Sequence, residues 1–187
     1  ITEYRNREKA AMLVEKISEL AQGDKITIME VCGTHTMSIA RFGIKSMLPT
    51  SINLISGPGC PVCVTPNSYV DHAIALSRIK NNVICTFGDM MKVPGSTSSL
   101  YKERASGRDV RIVYSTIDAL EIARQNPGLE IIFLGVGFET TSPTIAASID
   151  IAKRDSLKNY TVLSSNKIVP PALEALMHDG PKLNGFL

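Results

Sequence analysis

Apolar positions follow two rhythms along the chain. Over residues 4–22, Ala10, Leu13, Val14, Ile17, Leu20 and Ala21 recur at helical spacing and Gly23 follows as a stop. The pattern predicts a helix with an apolar stripe. The opening Ile-Thr-Glu-Tyr-Arg is charged and helical in character. From residue 25 onward, short β-rich runs alternate with helical stretches. Strands are predicted at 25–31, 52–56, 83–87, 110–114, 130–136 and 160–164. Helices are predicted at 36–43, 65–80, 98–106, 115–126, 142–155 and 170–178. Thr65-Pro66 reads as an N-cap followed by Pro at the first helical position, and Ser142-Pro143 repeats the device. Ser115 caps the fourth of these helices and Pro127-Gly128 ends it. No element is predicted at the final Asn184-Gly185-Phe186-Leu187.

Strand followed by helix, repeated, predicts an α/β fold: parallel, Rossmann-like βα layers with helices on both faces. The expected arrangement is a first α/β domain over residues 1–127 and the beginning of a second over 128–187, divided near Pro127-Gly128. Ligands of such folds bind outside the carboxyl ends of the strands, where the unusual residues fall. Cys32-Gly-Thr-His35-Thr follows the first strand, and Gly57-Pro-Gly59-Cys60-Pro-Val-Cys63 the second. Gly88-Asp89-Met90 and Val93-Pro-Gly-Ser96 follow the third, and Gly135-Val-Gly137-Phe-Glu139-Thr140-Thr141 the fifth. Four such loops on one rim predict a single site.

Composition narrows the function classes. The 187 residues are 44% hydrophobic and 20% charged, enough apolar mass for a core. Twenty basic against 18 acidic residues leave a net charge of +2, and there is no Trp, which argues against a nucleic-acid partner. The longest apolar run, 131–136, is far short of the roughly 20 residues of a membrane span. No secretory leader pattern opens the chain, so a cytoplasmic protein without a membrane partner is expected. The absent initiator Met and the abrupt end suggest a fragment cut at both ends. Four cysteines are too sparse for a disulfide scaffold and point to reactive or metal-binding thiols.

Each loop offers distinct chemistry. Cys60-x-x-Cys63 at a helix start suits reversible thiol–disulfide exchange, the helix dipole favouring thiolate. The same pair is half of a zinc site, and joined with Cys32 and His35 it makes a Cys₃His tetrahedron. Cys32-x-x-His35 alone can bind a transition metal, or Cys32 can be a small buried hydrophobe with His35 near a helix start. Cys85, inside an apolar strand, reads as a core thiol, and Met90-Met91 as packing. Gly135-x-Gly137 is a weak nucleotide signal, because position 140 is Thr where the fingerprint needs Gly. Glu139-Thr140-Thr141-Ser142 offers hydroxyls and helix amides to an anion, although helix capping by Ser142 explains the same residues. Asp89 suits an acid, a hydrogen-bond acceptor or a turn former.

Together these residues resemble the HypD family, which helps build the active site of [NiFe]-hydrogenases. The resemblance rests on Glu30-Val-Cys32-Gly-Thr-His35-Thr36, Ile55-Ser-Gly57-Pro-Gly59-Cys60-Pro-Val-Cys63-Val-Thr-Pro66, Thr86-Phe-Gly-Asp89-Met90 with Val93-Pro-Gly-Ser96, and Gly137-Phe-Glu139-Thr140-Thr141, and spans essentially the whole chain. It implies a maturation scaffold, with redox chemistry but no conventional turnover, that works with a HypC-type chaperone. Iron would be held by Cys32, with His35 supporting, while it acquires two cyanides and one carbon monoxide as Fe(CN)₂(CO). A HypE-type partner would deliver the cyanide. Cys60 and Cys63 would be a redox dithiol. Gly57, Gly59, Asp89, Glu139 and Thr140 are candidate binding residues beside them. A C-terminal domain with a [4Fe–4S] cluster is expected in the family and lies outside this sequence. Two other readings stay open: a structural zinc domain using Cys32, His35, Cys60 and Cys63, and a generic thiol–disulfide oxidoreductase.

Overall fold

The computed structural model describes residues 5–187, so the prediction for residues 1–4 lies outside the described residues. In order, the elements are α1 (Arg7–Ala21), β1 (Ile26–Glu30), α2 (Gly33–Arg41), α3 (Ile44–Met47), β2 (Ile52–Ser56), α4 (Asn67–Ser77), β3 (Asn82–Thr86), a 3-10 turn (Gly88–Lys92), α5 (Leu100–Ala105), β4 (Val110–Ile112), α6 (Thr116–Gln125), β5 (Glu130–Gly135), α7 (Ser142–Arg154), β6 (Tyr160–Ser164), α8 (Val169–Asp179) and β7 (Gly185–Phe186). All strand pairings are parallel, as the alternation of strand and helix requires.

The strands form two sheets, β2-β1-β7 and β4-β3-β5-β6. The chain divides accordingly into two compact units, residues up to Cys60 with Pro170–Leu187, and Pro61–Val169. This corrects the boundary expected at Pro127-Gly128. That pair lies in the turn between α6 and β5, and β5 is an inner strand bonded to both β3 and β6. A domain boundary cannot fall where the next strand completes the same sheet. The chain crosses between units at Cys60–Pro61 and Val169–Pro170.

In the unit spanning Pro61–Val169, successive residues of β3 and β5 face opposite sides. Ile84, Ile132 and Leu134 pack with Tyr69, Val70, Ala73 and Ile74 of α4 and with Leu100 of α5. Val83, Cys85, Ile131 and Phe133 pack with Ala119, Leu120 and Ala123 of α6 and Ile145 of α7. Both faces are therefore buried, which explains the unbroken apolar runs of β3 and β5. Each fully buried Ile, Leu or Phe contributes about 1.5–3 kcal/mol. α6 begins with a capping box. Ser115 Oγ accepts from Asp118 N, and an Asp118 carboxylate oxygen accepts from Ser115 N and Tyr114 N.

The other unit has a thinner core, with Ala21, Met29, Ile39 and Leu54 buried. β1 is its central strand, pairing Ile26–Glu30 with Ile52–Ser56 in register. Its other neighbour is β7, where no element was predicted. Two residues make the strand, and Asn184 anchors it, its backbone N donating to Thr27 O and its side-chain oxygen accepting from Thr27 N. Only long-range pairing defines so short a strand. α1 forms as predicted, capped by Asn6, but its stripe does not enter a core. Leu13 and Leu20 are 61% and 71% exposed, and of the helix only Ala21 is buried.

Candidate functional site

β1 ends at Glu30, and Val31 leads to Cys32, the N-cap residue of α2. Cys32 keeps an extended backbone (φ −148°, ψ 122°), and its carbonyl accepts from Thr36 N at 3.1 Å. Its sulfur closes no conventional cap hydrogen bond. Even so, the backbone N–H of His35, then that of Thr34, favours the thiolate and holds the Cys32 pKa below the usual thiol value. This is the effect of a helix N-terminus on a thiol. Cys32 is half-buried and His35 exposed.

The second loop is pressed against the first. Gly33 N donates to Gly59 O at 3.2 Å, and Gly57 N to Glu30 O at 2.7 Å. A Cβ on Gly59 would lie 2.5 Å from Gly33 N and 2.8 Å from Cys32 Cα, backbone atoms that cannot give way. One on Gly57 would meet the Met29 side chain at 2.5 Å. The two glycines expected to touch a ligand thus permit close approach of the two thiol loops. The half-buried Cys60 ends this segment.

Cys63 is exposed and lies in a turn ahead of α4, not on it. The helix starts one residue later than Thr65-Pro66 suggested, with Pro66 as N-cap. Thr65 instead closes the turn, its Oγ1 donating to Pro61 O at 2.8 Å and its N to Val62 O. Helix-dipole effects fade within the first turn, so the dipole argument for this CxxC loses its geometric basis. Cys85 is fully buried, and burial pushes its thiol up to about 12.

The remaining loops follow strands of the four-stranded sheet, whereas the two thiol loops follow strands of the three-stranded one. Asp89 is exposed and its Oδ1 accepts from Met90 N, closing the 3-10 turn. Asp71 of α4, not singled out by sequence, holds the Val93–Ser96 loop. Its two carboxylate oxygens accept from Ser96 N and Ser96 Oγ, each at 2.7 Å. Gly95 faces that carboxylate, where a Cβ would come within 2.5 Å of Oδ1.

Gly135-x-Gly137-x-Glu139 is a set of rungs. Ser165 N donates to Gly135 O, Lys167 N to Gly137 O, and Val169 N to Glu139 Oε1, at 2.7, 2.9 and 2.8 Å. The carboxylate replaces the third carbonyl and anchors the start of α8. Thr140 is exposed beside it. The capping expected of Ser142 is also revised. Thr141 is the N-cap residue of α7, and Ser142 Oγ donates back to Phe138 O.

Two further features surround Cys32. No Asp or Glu occurs over residues 31–70, which hold both thiol loops. Glu30, just before them, is 4% exposed, and its Oε2 has no hydrogen-bond partner among the described residues. Sequence reasoning passed over Glu30, although a carboxylate ending an apolar strand was a signal. Among the described residues, no three His, Cys, Asp or Glu side chains are grouped to hold a metal ion, so the Cys₃His zinc arrangement gains no support. No helix among them is long and apolar enough to cross a membrane.

Parallel strands flanked by helices define an α/β protein of Rossmann-like type, with cysteine-bearing loops after its first two strands. The sequence comparisons make the class specific. Residues 8–187 match the HypD family model, described as "Hydrogenase formation hypA family". The hydrogenase maturation factor HypD of Rhodobacter capsulatus is 44% identical over 193 residues, all of this chain and 51% of that protein. HypD of Escherichia coli K12 is 41% identical over 95% of this chain and 49% of its own length, and that of Azotobacter vinelandii 42% over 95% and 47%. The chain belongs to the HypD family, and it spans about half the length of these curated relatives.

Proposed function

We propose that the chain acts in hydrogenase maturation as the part of a HypD-type factor that holds iron while its diatomic ligands are attached. The observation that carries this reading is Cys32, a half-buried thiol at the N-terminus of α2 whose pKa the amides of His35 and Thr34 lower. Such a thiol gives up its proton more readily than an ordinary one, and thiolate is the form that binds ferrous iron. The acid-free stretch around it suits a cargo carrying thiolates and cyanides. The iron is substrate, acquiring two cyanides and one carbon monoxide. A HypC-type chaperone contributes a second thiolate, and a HypE-type partner delivers the cyanide. His35, exposed in the first turn of α2, supports the site.

Cys60 and Cys63 serve as a dithiol that gives up two electrons and two protons on closing to a disulfide. A [4Fe–4S] cluster in the remainder of a full-length factor exchanges those electrons. Work of this kind belongs in the cytoplasm. A generic thiol–disulfide oxidoreductase would use its CxxC indifferently to Cys32, so the response to Cys32→Ala separates the two readings. The test is iron content after anaerobic co-purification with a HypC-type chaperone. The native chain retains about one iron per complex, and Cys32→Ala retains almost none while keeping its melting temperature. Undiminished iron in Cys32→Ala contradicts the proposal.

A further inference from the structure

Resting on that assignment of Cys32 as the iron-holding thiol, we propose that Glu30 is a second protein ligand for the incoming ferrous ion. Three observations lead there. Glu30 closes β1 and Cys32 remains extended, so residues two apart place their side chains on the same side of the strand. Glu30 is 4% exposed, and its Oε2 is buried with no hydrogen-bond partner among the described residues. Its register partner Ser56, and Leu54 opposite Ile28, carry no charge, and the Lys45 ammonium beside them donates to Leu54 O at 3.2 Å.

A buried carboxylate oxygen without a partner is costly and is kept where something is bound. The next acidic residue in sequence is Asp71, so Glu30 is the one carboxylate adjoining the thiol loops along the chain. The donor set also fits. Ferrous iron accepts mixed thiolate and carboxylate ligation, the carboxylate being the harder donor that holds the ion before strong-field diatomic ligands arrive. The Glu30 side chain has three rotatable bonds, which give its carboxylate reach on the side of the strand that Cys32 shares. On binding, the Cys32 thiol proton leaves to buffer and two anionic donors neutralise the divalent charge. Gly57 N held to Glu30 O fixes the end of the strand from which both donors project.

The experiment is anaerobic competition for ferrous iron between the whole chain and a chromophoric chelator, with iron alone as the probe. Native protein, Glu30→Gln, Glu30→Asp and Cys32→Ala are compared, each with a melting curve. Glu30→Gln is expected to weaken iron binding by about tenfold or more. Its melting temperature should hold or rise, because an amide is easier to bury than an unpaired carboxylate. X-ray absorption on the loaded native chain should show an oxygen donor beside sulfur that Glu30→Gln lacks. If Glu30→Gln binds iron as tightly as the native chain while Cys32→Ala does not, the proposal for Glu30 fails and the role of Cys32 stands. If Cys32→Ala also binds undiminished, both fail. Should Glu30→Gln not fold, Glu30→Asp decides: weakened binding supports the ligand role, and native affinity overturns it.

Discussion

The four cysteines show how local backbone sets thiol chemistry. Cys32 and Cys85 both lie at or near strands, yet amides at a helix start lower one pKa while burial raises the other to about 12. Alkylation followed by peptide mass mapping should therefore label Cys32 at a pH where an ordinary thiol reacts slowly. Cys85 should stay unlabelled until the chain unfolds, and early labelling of Cys85 would contradict the packing. Cys85 as a core thiol was legible because Val, Ile and Phe flank it. That Gly57 and Gly59 serve loop contact was not, because close approach depends on which strands are neighbours. The structural contact of Glu139 was hidden for the same reason: its partner, Val169 N, lies thirty residues away.

Elements with strong local signals appear where the sequence places them. β2 and β6 match residue for residue, and α6 starts at the Ser115 cap. Elements defined by distant partners do not, as β7 shows. The α1 stripe shows that periodicity reports amphipathicity, not what covers the face. α4 and α5 are joined by Arg78 and Glu103, whose two hydrogen bonds are 2.9 and 2.6 Å. The Arg78 guanidinium holds the Glu103 carboxyl down at about 2, from an ordinary 4.5, and the Glu103 side chain is 7% exposed. A depressed carboxyl stabilises the fold above its unfolded pKa, and that contribution is lost as pH falls from about 4.5 toward 2. Melting curves across that interval should fall more steeply for the native chain than for Glu103→Gln, which cannot titrate. At neutral pH the variant should melt several degrees lower. Parallel curves would show that the pair is energetically silent.

Over the whole molecule, the sequence displays the α/β class because the alternation of strand and helix is local. The division into two sheets stays hidden because it rests on which strands become neighbours. That division places the first thiol loop in one unit and leaves the CxxC straddling the Cys60–Pro61 crossing. On the proposed function, Cys32 holds an iron that acquires cyanide and carbon monoxide. The infrared spectrum of the chain co-purified without oxygen with a HypC-type chaperone reports on this, since those diatomic ligands absorb where protein does not. Cyanide and carbonyl bands should appear in the native complex and vanish in Cys32→Ala. Bands that persist in Cys32→Ala, or a native complex that carries stoichiometric zinc and no such bands, would contradict the account.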